Sequence, residues 1–268
     1  MDVEVVRRGL LPNRQQAQAA IAAGRVLVGG AVADKPARLV SAAEPVVVQG
    51  DGPRFVSRGG DKLAAALDRF PVTVGGAVAL DAGASTGGFT DCLLQHGAAR
   101  VVAVDVGYGQ LDSRLRADRR VVVMERTNLR ALAAADVAAA AGGPVDLVTA
   151  DLSFISLTVV APALAGRLVR PGGHLVLLVK PQFEAGRAEV SRGRGVIRDP
   201  AVWAEALRSV ASSLAAAGAA IMGAMRSPVL GPAGNTEFLL HAVAGGPQEA
   251  DVAAVVDAAV AEAVGREG

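Results

Sequence analysis

One stretch in the first half of this 268-residue chain limits the possible folds more than any other. A short apolar run, Ala77–Leu80, ends in Asp81 and is followed by a loop rich in Gly, Ser and Thr. A helical pattern begins at Phe89, and a second apolar run, Val101–Val104, ends in Asp105. This order predicts a βαβ unit with an acid at the carboxyl end of each strand.

The loop of this unit predicts a small-molecule site, because ligands of doubly wound sheets bind beyond the carboxyl ends of the strands. Its glycines allow close approach of the backbone, but their spacing matches neither a dinucleotide-binding nor a phosphate-binding motif. Two acids favour a cationic nucleoside, and S-adenosylmethionine fits. The alternative is an ordinary α/β loop, since such domains often carry Gly and Asp at strand ends. The predicted cofactor-binding residues are Asp81, Gly83, Ser85, Thr86, Gly87, Gly88, Asp105, Glu125 and Asp151.

Composition narrows the class of protein. With 51% hydrophobic residues the chain can bury a core, and its length suits one large domain and one small domain. The single cysteine, Cys92, excludes a disulfide framework and a multi-cysteine zinc site. No signal peptide and no membrane-length apolar run are visible. We therefore expect a cytoplasmic protein with no metal and no membrane partner.

The first fifty residues form a pattern of their own. Helices are predicted at Asp2–Gly9 and, with Asn13 as N-cap, at Arg14–Ala23. Strands are predicted at Val26–Val28, Ala31–Ala33 and Val46–Gln49. The pattern resembles the S4 RNA-binding fold in the residues Leu10, Arg14, Ala17, Ile21, Gly24, Val26, Val28 and Gly30.

Charge supports an anionic partner for this module. Up to Lys62 there are nine basic and six acidic residues, a surplus of +3, whereas the remainder carries 18 and 20, a balance of −2. The alternative is solvated surface charge. The predicted RNA-binding residues are Arg7, Arg8, Arg14, Lys35 and Arg58.

From Val74 onward strands and helices alternate, which predicts a seven-stranded doubly wound α/β sheet. We expect an S4-like domain over residues 1–50, a linker over 51–60 and the α/β domain over 61–268. Strands are predicted at Ala77–Leu80, Val101–Val104, Val121–Met124, Leu147–Ala150, His174–Val179, Ala220–Met225 and Glu237–His241. Helices are predicted at 60–70, with Ser57 as its N-cap, and at Thr90–His96, Leu111–Ala117, Ile155–Val169, Ala201–Ala217 and Asp251–Val264.

Four charged residues are candidates for catalysis. Lys180 ends an almost wholly aliphatic strand, where a lysine is costly to desolvate unless it is paired, and Asp151 at the neighbouring strand end is its natural partner. Lys62 and Glu237 can complete a Lys-Asp-Lys-Glu group that deprotonates a hydroxyl acceptor. Structural alternatives stay open: a helix cap for Asp151, a strand-end lysine for Lys180, and surface or edge-strand charges for Lys62 and Glu237.

The segments that carry this chemistry resemble the TlyA family of ribosomal RNA 2'-O-methyltransferases, whose members are often labelled haemolysins. The resemblance covers nearly the whole chain behind the S4-like module. The segments are VSRGGDKL, LDAGASTGGFTD, VVAVDVGYGQL, ERTN, ADLSFISL, VKPQFEAG, GVIRDP and SPVLGPAGNTEFLL.

This resemblance implies a class I methyltransferase domain of the FtsJ type, with the catalytic tetrad at Lys62, Asp151, Lys180 and Glu237. It also implies S-adenosylmethionine as donor, cytidine ribose in 23S rRNA of the 50S subunit as acceptor, 16S rRNA of the 30S subunit as a further candidate, and sensitivity to capreomycin- and viomycin-type antibiotics. The linker departs from the family at Phe55, where a tryptophan is usual. Two alternatives remain: a haemolysin-like protein and a non-catalytic RNA-binding or ribosome assembly factor.

Overall fold

The computed structural model describes residues 1–11, 13–50, 53–185 and 195–265. The chain divides into two compact units, Met1–Val56 and Ser57–Gly268. Each unit has its own hydrophobic cluster of buried side chains. The predicted linker over 51–60 therefore spans the point at which the two units divide.

The smaller unit packs two helices against a three-stranded antiparallel sheet of order β2-β1-β3. Asn13 caps the second helix, as predicted, because its side chain accepts a hydrogen bond from the amide of Gln16 at 2.9 Å. Val5, Ile21 and Val26 lie at the centre of the core. The elements are α1 (Asp2–Arg7), α2 (Arg14–Ala22), β1 (Val26–Val28), β2 (Ala31–Val32) and β3 (Val46–Val48).

The larger unit is built on a seven-stranded sheet of order β6-β5-β4-β7-β8-β10-β9. The first five strands in this order are parallel, and β10 runs antiparallel to both β8 and β9. All seven predicted strands are present, with ends that differ by a few residues. They are β4 (Val78–Ala82), β5 (Arg100–Val104), β6 (Val121–Met124), β7 (Leu147–Ala150), β8 (His174–Val179), β9 (Ala219–Arg226) and β10 (Phe238–Ala244).

The helices of this unit cover the sheet. They are α3 (Gly59–Arg69), α4 (Gly88–Gln95), α5 (Ser113–Ala117), α6 (Ala134–Ala141), α7 (Leu157–Ala163), α8 (Pro181–Glu184), α9 (Pro200–Ala216) and α10 (Val252–Val264). The sequence patterns did not predict α6 and α8. The helix predicted over Ile155–Val169 begins later because Ser156 caps it, and it continues after α7 as a π-helical turn, Leu164–Leu168.

Burial explains why the central strands read as continuous apolar runs. β7 and β8 are parallel strands covered on both faces, so neither face needs polar residues. One large cluster joins the sheet to α7, α9 and α10, with Trp203 packed against Phe238 at a ring distance of 5.9 Å. This apolar core holds the carboxyl ends of the strands in fixed relative positions.

The strand order reverses between β4 and β7. From β4 the chain proceeds outward through β5 and β6, and it then returns to add β7 and β8 on the other side of β4. A crevice forms at such a switch point, beyond the carboxyl ends of the strands. The loops that follow β4 and β7 therefore meet at the place where a ligand is expected.

Candidate active site

The loops after β4 and β7 touch through a glycine. Gly83 has a φ of +83°, and a Cβ there would lie 2.7 Å from the carbonyl oxygen of Asp151. The amide of Asp151 donates to the carbonyl of Ala82 at 3.0 Å, which continues the pairing of the two strands. Only glycine allows both the left-handed backbone and this approach. The contact fixes Asp151 beside the loop that was predicted to hold the cofactor.

Lys180 forms an ion pair with Asp151, as the sequence predicts. Its Nζ lies 2.6 Å from Oδ1 of Asp151 and donates a hydrogen bond to Oγ of Ser153 at 3.0 Å. The approach to Oδ1 is close but is not aligned as a regular hydrogen bond. The lysine is almost buried, whereas 24% of the Asp151 side chain is exposed. Water or a substrate can therefore reach the pair from the side of Asp151.

Lys62 and Glu237 form a second ion pair, with Nζ 2.5 Å from Oε2. The side chains are only 8% and 1% exposed. Lys62 lies near the start of α3, and Glu237 directly precedes β10. The other carboxylate oxygen, Oε1 of Glu237, is buried and has no hydrogen-bond partner among the described residues. A buried pair with an unused acceptor is costly if its only role is structural.

Strand register brings the two pairs to one edge of the sheet. Phe238 of β10 lies opposite Val179 of β8, so Glu237 and Lys180, which adjoin these residues, lie next to each other beyond the paired segment. The start of α3 also reaches Asp151, because a Cβ on Gly59 would lie 3.7 Å from its Oδ2. The structure thus brings together all four residues of the predicted tetrad.

A cavity of about 380 Å³ opens beside this cluster. Its size falls in the range of small-molecule sites. Four of the predicted cofactor-binding residues line it: Gly83, Ser85, Asp105 and Asp151. Polar and aromatic side chains outside the predicted set of cofactor-binding residues also line it: Gln110, Thr127, Asn128, Ser153 and Phe154.

Asp105 has the geometry of a hydroxyl acceptor. Its Oδ2 accepts from the amide of Ser85 at 2.8 Å, and its Oδ1 accepts from the amide of Gly107 at 2.6 Å. Each carboxylate oxygen retains a further lone pair. The carboxylate is held rigidly against the loop and can still accept hydrogen bonds from a ribose.

Glu125 lines a small side pocket together with Ser85 and Asp105, not the main cavity. Its Oε1 accepts a hydrogen bond from Arg116 and another from the amide of Gly109 at 2.9 Å. The Arg116 hydrogen bond, followed by the Gly109 amide, holds the pKa of Glu125 below its usual value despite some desolvation. Glu125 therefore stays ionised at the end of β6.

Four residues of the predicted cofactor set line neither the cavity nor the side pocket: Asp81, Thr86, Gly87 and Gly88. Gly87 packs toward Leu115, and Gly88 packs toward the start of α3, where a Cβ would lie 2.2 Å from Oγ of Ser57. Both glycines thus have a packing role that the sequence did not reveal. Ser57 was predicted to cap α3, but Arg58 is the N-cap and no side chain caps this helix.

Asp81 is fully buried and hydrogen bonded by Thr90 of α4, whose Oγ1 donates to Oδ2 at 2.6 Å. Its Oδ1 is buried with no hydrogen-bond partner among the residues described. Burial raises the pKa of Asp81 to about 7, and the Thr90 hydrogen bond only partly opposes this effect. Asp81 therefore does not reach the cavity, and any effect of this residue on a ligand is transmitted through the loop that follows β4.

This raised pKa predicts a pH-dependent stability. The folded protein keeps a proton on Asp81 up to about pH 7, whereas the unfolded chain releases it near pH 4, so the contribution is present below pH 4 and is lost as the pH rises through 7. We expect Asp81→Asn to match the parent protein at about pH 3.5 and to exceed its unfolding free energy at pH 8 by a few kcal/mol, on the order of magnitude set by the shift. Urea unfolding at both pH values measures this. An equal or lower stability of the variant at pH 8 would contradict it.

The five predicted RNA-binding residues differ in their surroundings. Arg8 is engaged within its own unit, because it pairs with Glu4 at 2.6 Å and donates to the carbonyl of Glu44 at 2.7 Å. Arg7 also pairs with Glu4, and Arg14 pairs with Asp2, yet both arginine side chains are more than half exposed. Lys35 and Arg58 are exposed as well. Arg8 is therefore mainly structural, and the other four remain available to a phosphate backbone.

Comparison with known proteins identifies a family for each of the two domains and several similar full-length proteins. A model of the FtsJ-like methyltransferase family matches residues 55–243, and a model of the S4 domain matches residues 2–46. The chain is 52% identical over 241 residues to the 16S/23S rRNA (cytidine-2'-O)-methyltransferase TlyA of Mycobacterium tuberculosis, which covers 90% of this chain and 88% of that protein. It is 39% identical over 242 residues to Hemolysin A of Brachyspira hyodysenteriae, with coverages of 90% and 98%.

A solved structure from Streptococcus thermophilus, provisionally named a hemolysin, superposes with a TM-score of 0.76 at 39% identity, over 99% of this chain and 97% of that one. The haemolysin name thus recurs among similar proteins. Within the ranges that the structure describes, no helix is both long and apolar enough to cross a membrane.

Fold, cavity and family models together define an FtsJ-like methyltransferase that carries an S4 domain at its amino-terminal end. The predicted fold class is confirmed. The chain belongs to the TlyA family of these enzymes, as the resemblance of its motifs indicated.

Proposed function

We propose that this protein transfers a methyl group from S-adenosylmethionine to the 2'-hydroxyl of a cytidine in ribosomal RNA. The observation that carries the proposal is the pair of lysine–carboxylate contacts, Lys180 with Asp151 and Lys62 with Glu237, at one edge of the sheet, where Asp151 lines the cavity. The substrate follows from what the most similar enzymes are named for.

The cavity suits S-adenosylmethionine. Asp105 has free acceptor positions for the ribose hydroxyls, and Asn128 and Thr127 supply polar groups near the adenosine. Gly83 and Ser85 of the loop after β4 also line the cavity, and a side chain at position 83 would collide with Asp151. When bound, the cofactor supplies an electrophilic methyl group and a positive charge. The acids Asp105 and Asp151 favour such a cation.

Lys180 is the proposed acceptor of the proton that the 2'-hydroxyl releases. In its neutral form Nζ accepts this proton, and the Asp151 carboxylate at 2.6 Å stabilises the resulting ammonium ion. Ser153 Oγ, at 3.0 Å, fixes the direction of the amine. The buried Lys62–Glu237 pair lies at the same edge of the sheet as Lys180, and its proposed role is to orient the acceptor. Much of the rate enhancement then comes from alignment of acceptor and methyl group.

The RNA partner is supported by surface features. Phe154 is 93% exposed at the cavity, and an exposed aromatic ring offers a face on which an unpaired base can stack. In the S4 unit, Arg7, Arg14 and Lys35 provide exposed cations for phosphates. The proposal names 23S rRNA in the 50S subunit first and 16S rRNA in the 30S subunit second. Cytoplasmic location and sensitivity to capreomycin- and viomycin-type antibiotics follow from the same proposal.

A methylation assay tests the proposal. Purified protein is incubated with radiolabelled S-adenosylmethionine and with 50S or 30S subunits from cells that lack the modification. We expect label in 23S rRNA at a cytidine. That site should resist alkaline cleavage, because the cleavage reaction requires a free 2'-hydroxyl. Binding to subunits without label in either RNA would instead support a non-catalytic assembly factor.

A further inference from the structure

Two short turns follow β7 and β8, and the proposed catalytic residues Asp151 and Lys180 lie where these turns begin. The first turn, residues 151–156, carries Asp151 and Ser153 and leads into α7. The second is α8, which begins directly after Lys180. Such turns lack the continuous backbone pairing of the strands that precede them. The separation of the two turns therefore depends on contacts between their side chains.

Glu184, the last residue of α8, ties the second turn to the first. Its Oε2 accepts a hydrogen bond from Oγ of Ser156 at 2.5 Å, and its Oε1 accepts from the amide of Leu157 at 2.9 Å. Ser156 Oγ in turn accepts from the amide of Thr158 at 3.1 Å. One carboxylate thus holds the point at which the first turn becomes a helix.

The two turns are consequently joined at both ends. At the reacting end, Lys180 contacts Asp151 and Ser153, and at the far end Glu184 contacts Ser156 and Leu157. If the far contact were lost, the Lys180 contacts, the packing of Phe154 on Phe183 at a ring distance of 5.5 Å and the base of the strands would be left to fix the distance between the turns. Burial raises the pKa of Glu184, and the hydrogen bonds from Leu157, Ser156 and Thr158 oppose this effect.

We propose that Glu184 is a positioning residue for methyl transfer: it holds the turn that carries Asp151 and Ser153 at the distance that Lys180 requires. The proposal rests on the function proposed above. Glu184 lies beyond the groups that touch the acceptor and acts through them.

The test compares Glu184→Ala and Glu184→Gln in the full-length protein. A displacement of about 1 Å in a reacting group costs up to about 100-fold in rate, so we expect Glu184→Ala to lower the single-turnover rate about 10- to 100-fold on RNA. The Kd for S-adenosylmethionine and the KM for the RNA stay within about twofold, because alignment and not binding is changed. Glu184→Gln keeps an acceptor for the Leu157 amide and a donor for Ser156, and it restores most of the rate.

A second readout does not depend on activity. In the free protein we expect faster amide hydrogen exchange at 151–158 in Glu184→Ala, with unchanged exchange in β7 and β8 themselves. Asp251→Ala is the matched control, since Asp251 caps α10 by accepting from the amide of Ala253 at 2.9 Å. This variant should lose cap stability without a change in rate.

The two readouts separate the possible failures. If the parent protein shows no transfer, the proposed function fails, and the exchange data alone decide whether Glu184 fixes the turn. If the parent is active and Glu184→Ala keeps the full rate with unchanged exchange at 151–158, the positioning role is overturned. An equal rate loss in Asp251→Ala would also overturn it, because general destabilisation would then explain both variants.

Discussion

Lys180→Met is expected to reduce methyl transfer to RNA by at least about 1000-fold, within the range that a positioned acid–base group contributes. The variant removes the amine that receives the proton of the hydroxyl and keeps the aliphatic part of the side chain. The fold should persist, because Asp151 is 24% exposed in the parent and can be solvated when the lysine is absent. The measurement is the single-turnover rate at saturating S-adenosylmethionine.

The matched control removes an ion pair from the other end of the same strand. Arg170 pairs with Asp146 at 2.7 Å just before β8, on the edge of the sheet away from the cavity. Arg170→Met should therefore leave the rate unchanged. Cofactor affinity, measured by calorimetry, should be similar in both variants and in the parent. Substantial residual transfer by Lys180→Met would reduce Lys180 to a structural role and would leave the mechanism without its base.

The sequence predicted the part of this site that depends on strand ends. Asp151 and Lys180 follow two buried apolar runs, and the carboxyl ends of neighbouring parallel strands meet at one edge, so their pairing follows from the pattern alone. Asp105 was predicted in the same way. Local strand signals were strong because parallel strands buried on both faces cannot be confused with surface loops.

Other parts could not be predicted from local pattern. Lys62 and Glu237 are 175 residues apart in the chain, and their contact depends on how α3 packs and on the antiparallel direction of β10. The sequence patterns also gave no reason to expect that Gly88 meets Ser57, or that Asp81 turns inward to Thr90. Such contacts are decided by tertiary packing, which a single sequence does not report.

Ser153 and Glu184 were missed for a different reason. Both occur in segments that resemble the family, yet each lies two to four residues beyond a more conspicuous charged residue. A serine or glutamate in a turn is most often a cap or a solvated group, so its type alone carries little information. Only the distances to Lys180, Ser156 and Leu157 distinguish them.

The second large effect is expected from the buried pair of Lys62 and Glu237, and it separates stability from catalysis. Either single variant, Lys62→Met or Glu237→Leu, leaves one buried charge without its partner and should cost about 3–5 kcal/mol in unfolding free energy. The double variant removes both charges and replaces them with apolar groups of similar size. It should therefore recover the stability of the parent or exceed it.

Methyl transfer should be lost in the double variant, because the charged pair that is proposed to orient the acceptor is gone even though the fold is restored. Urea unfolding of the four proteins gives the coupling energy, and the same samples give the transfer rate. The exposed pair of Arg208 and Asp257, at 3.1 Å, is the control, and its removal should cost less than about 1 kcal/mol. Additive losses in the double variant would show that the two charges do not depend on each other. Recovery of both stability and activity would show that the pair serves the fold alone, because apolar side chains form no hydrogen bonds with which to orient a hydroxyl group.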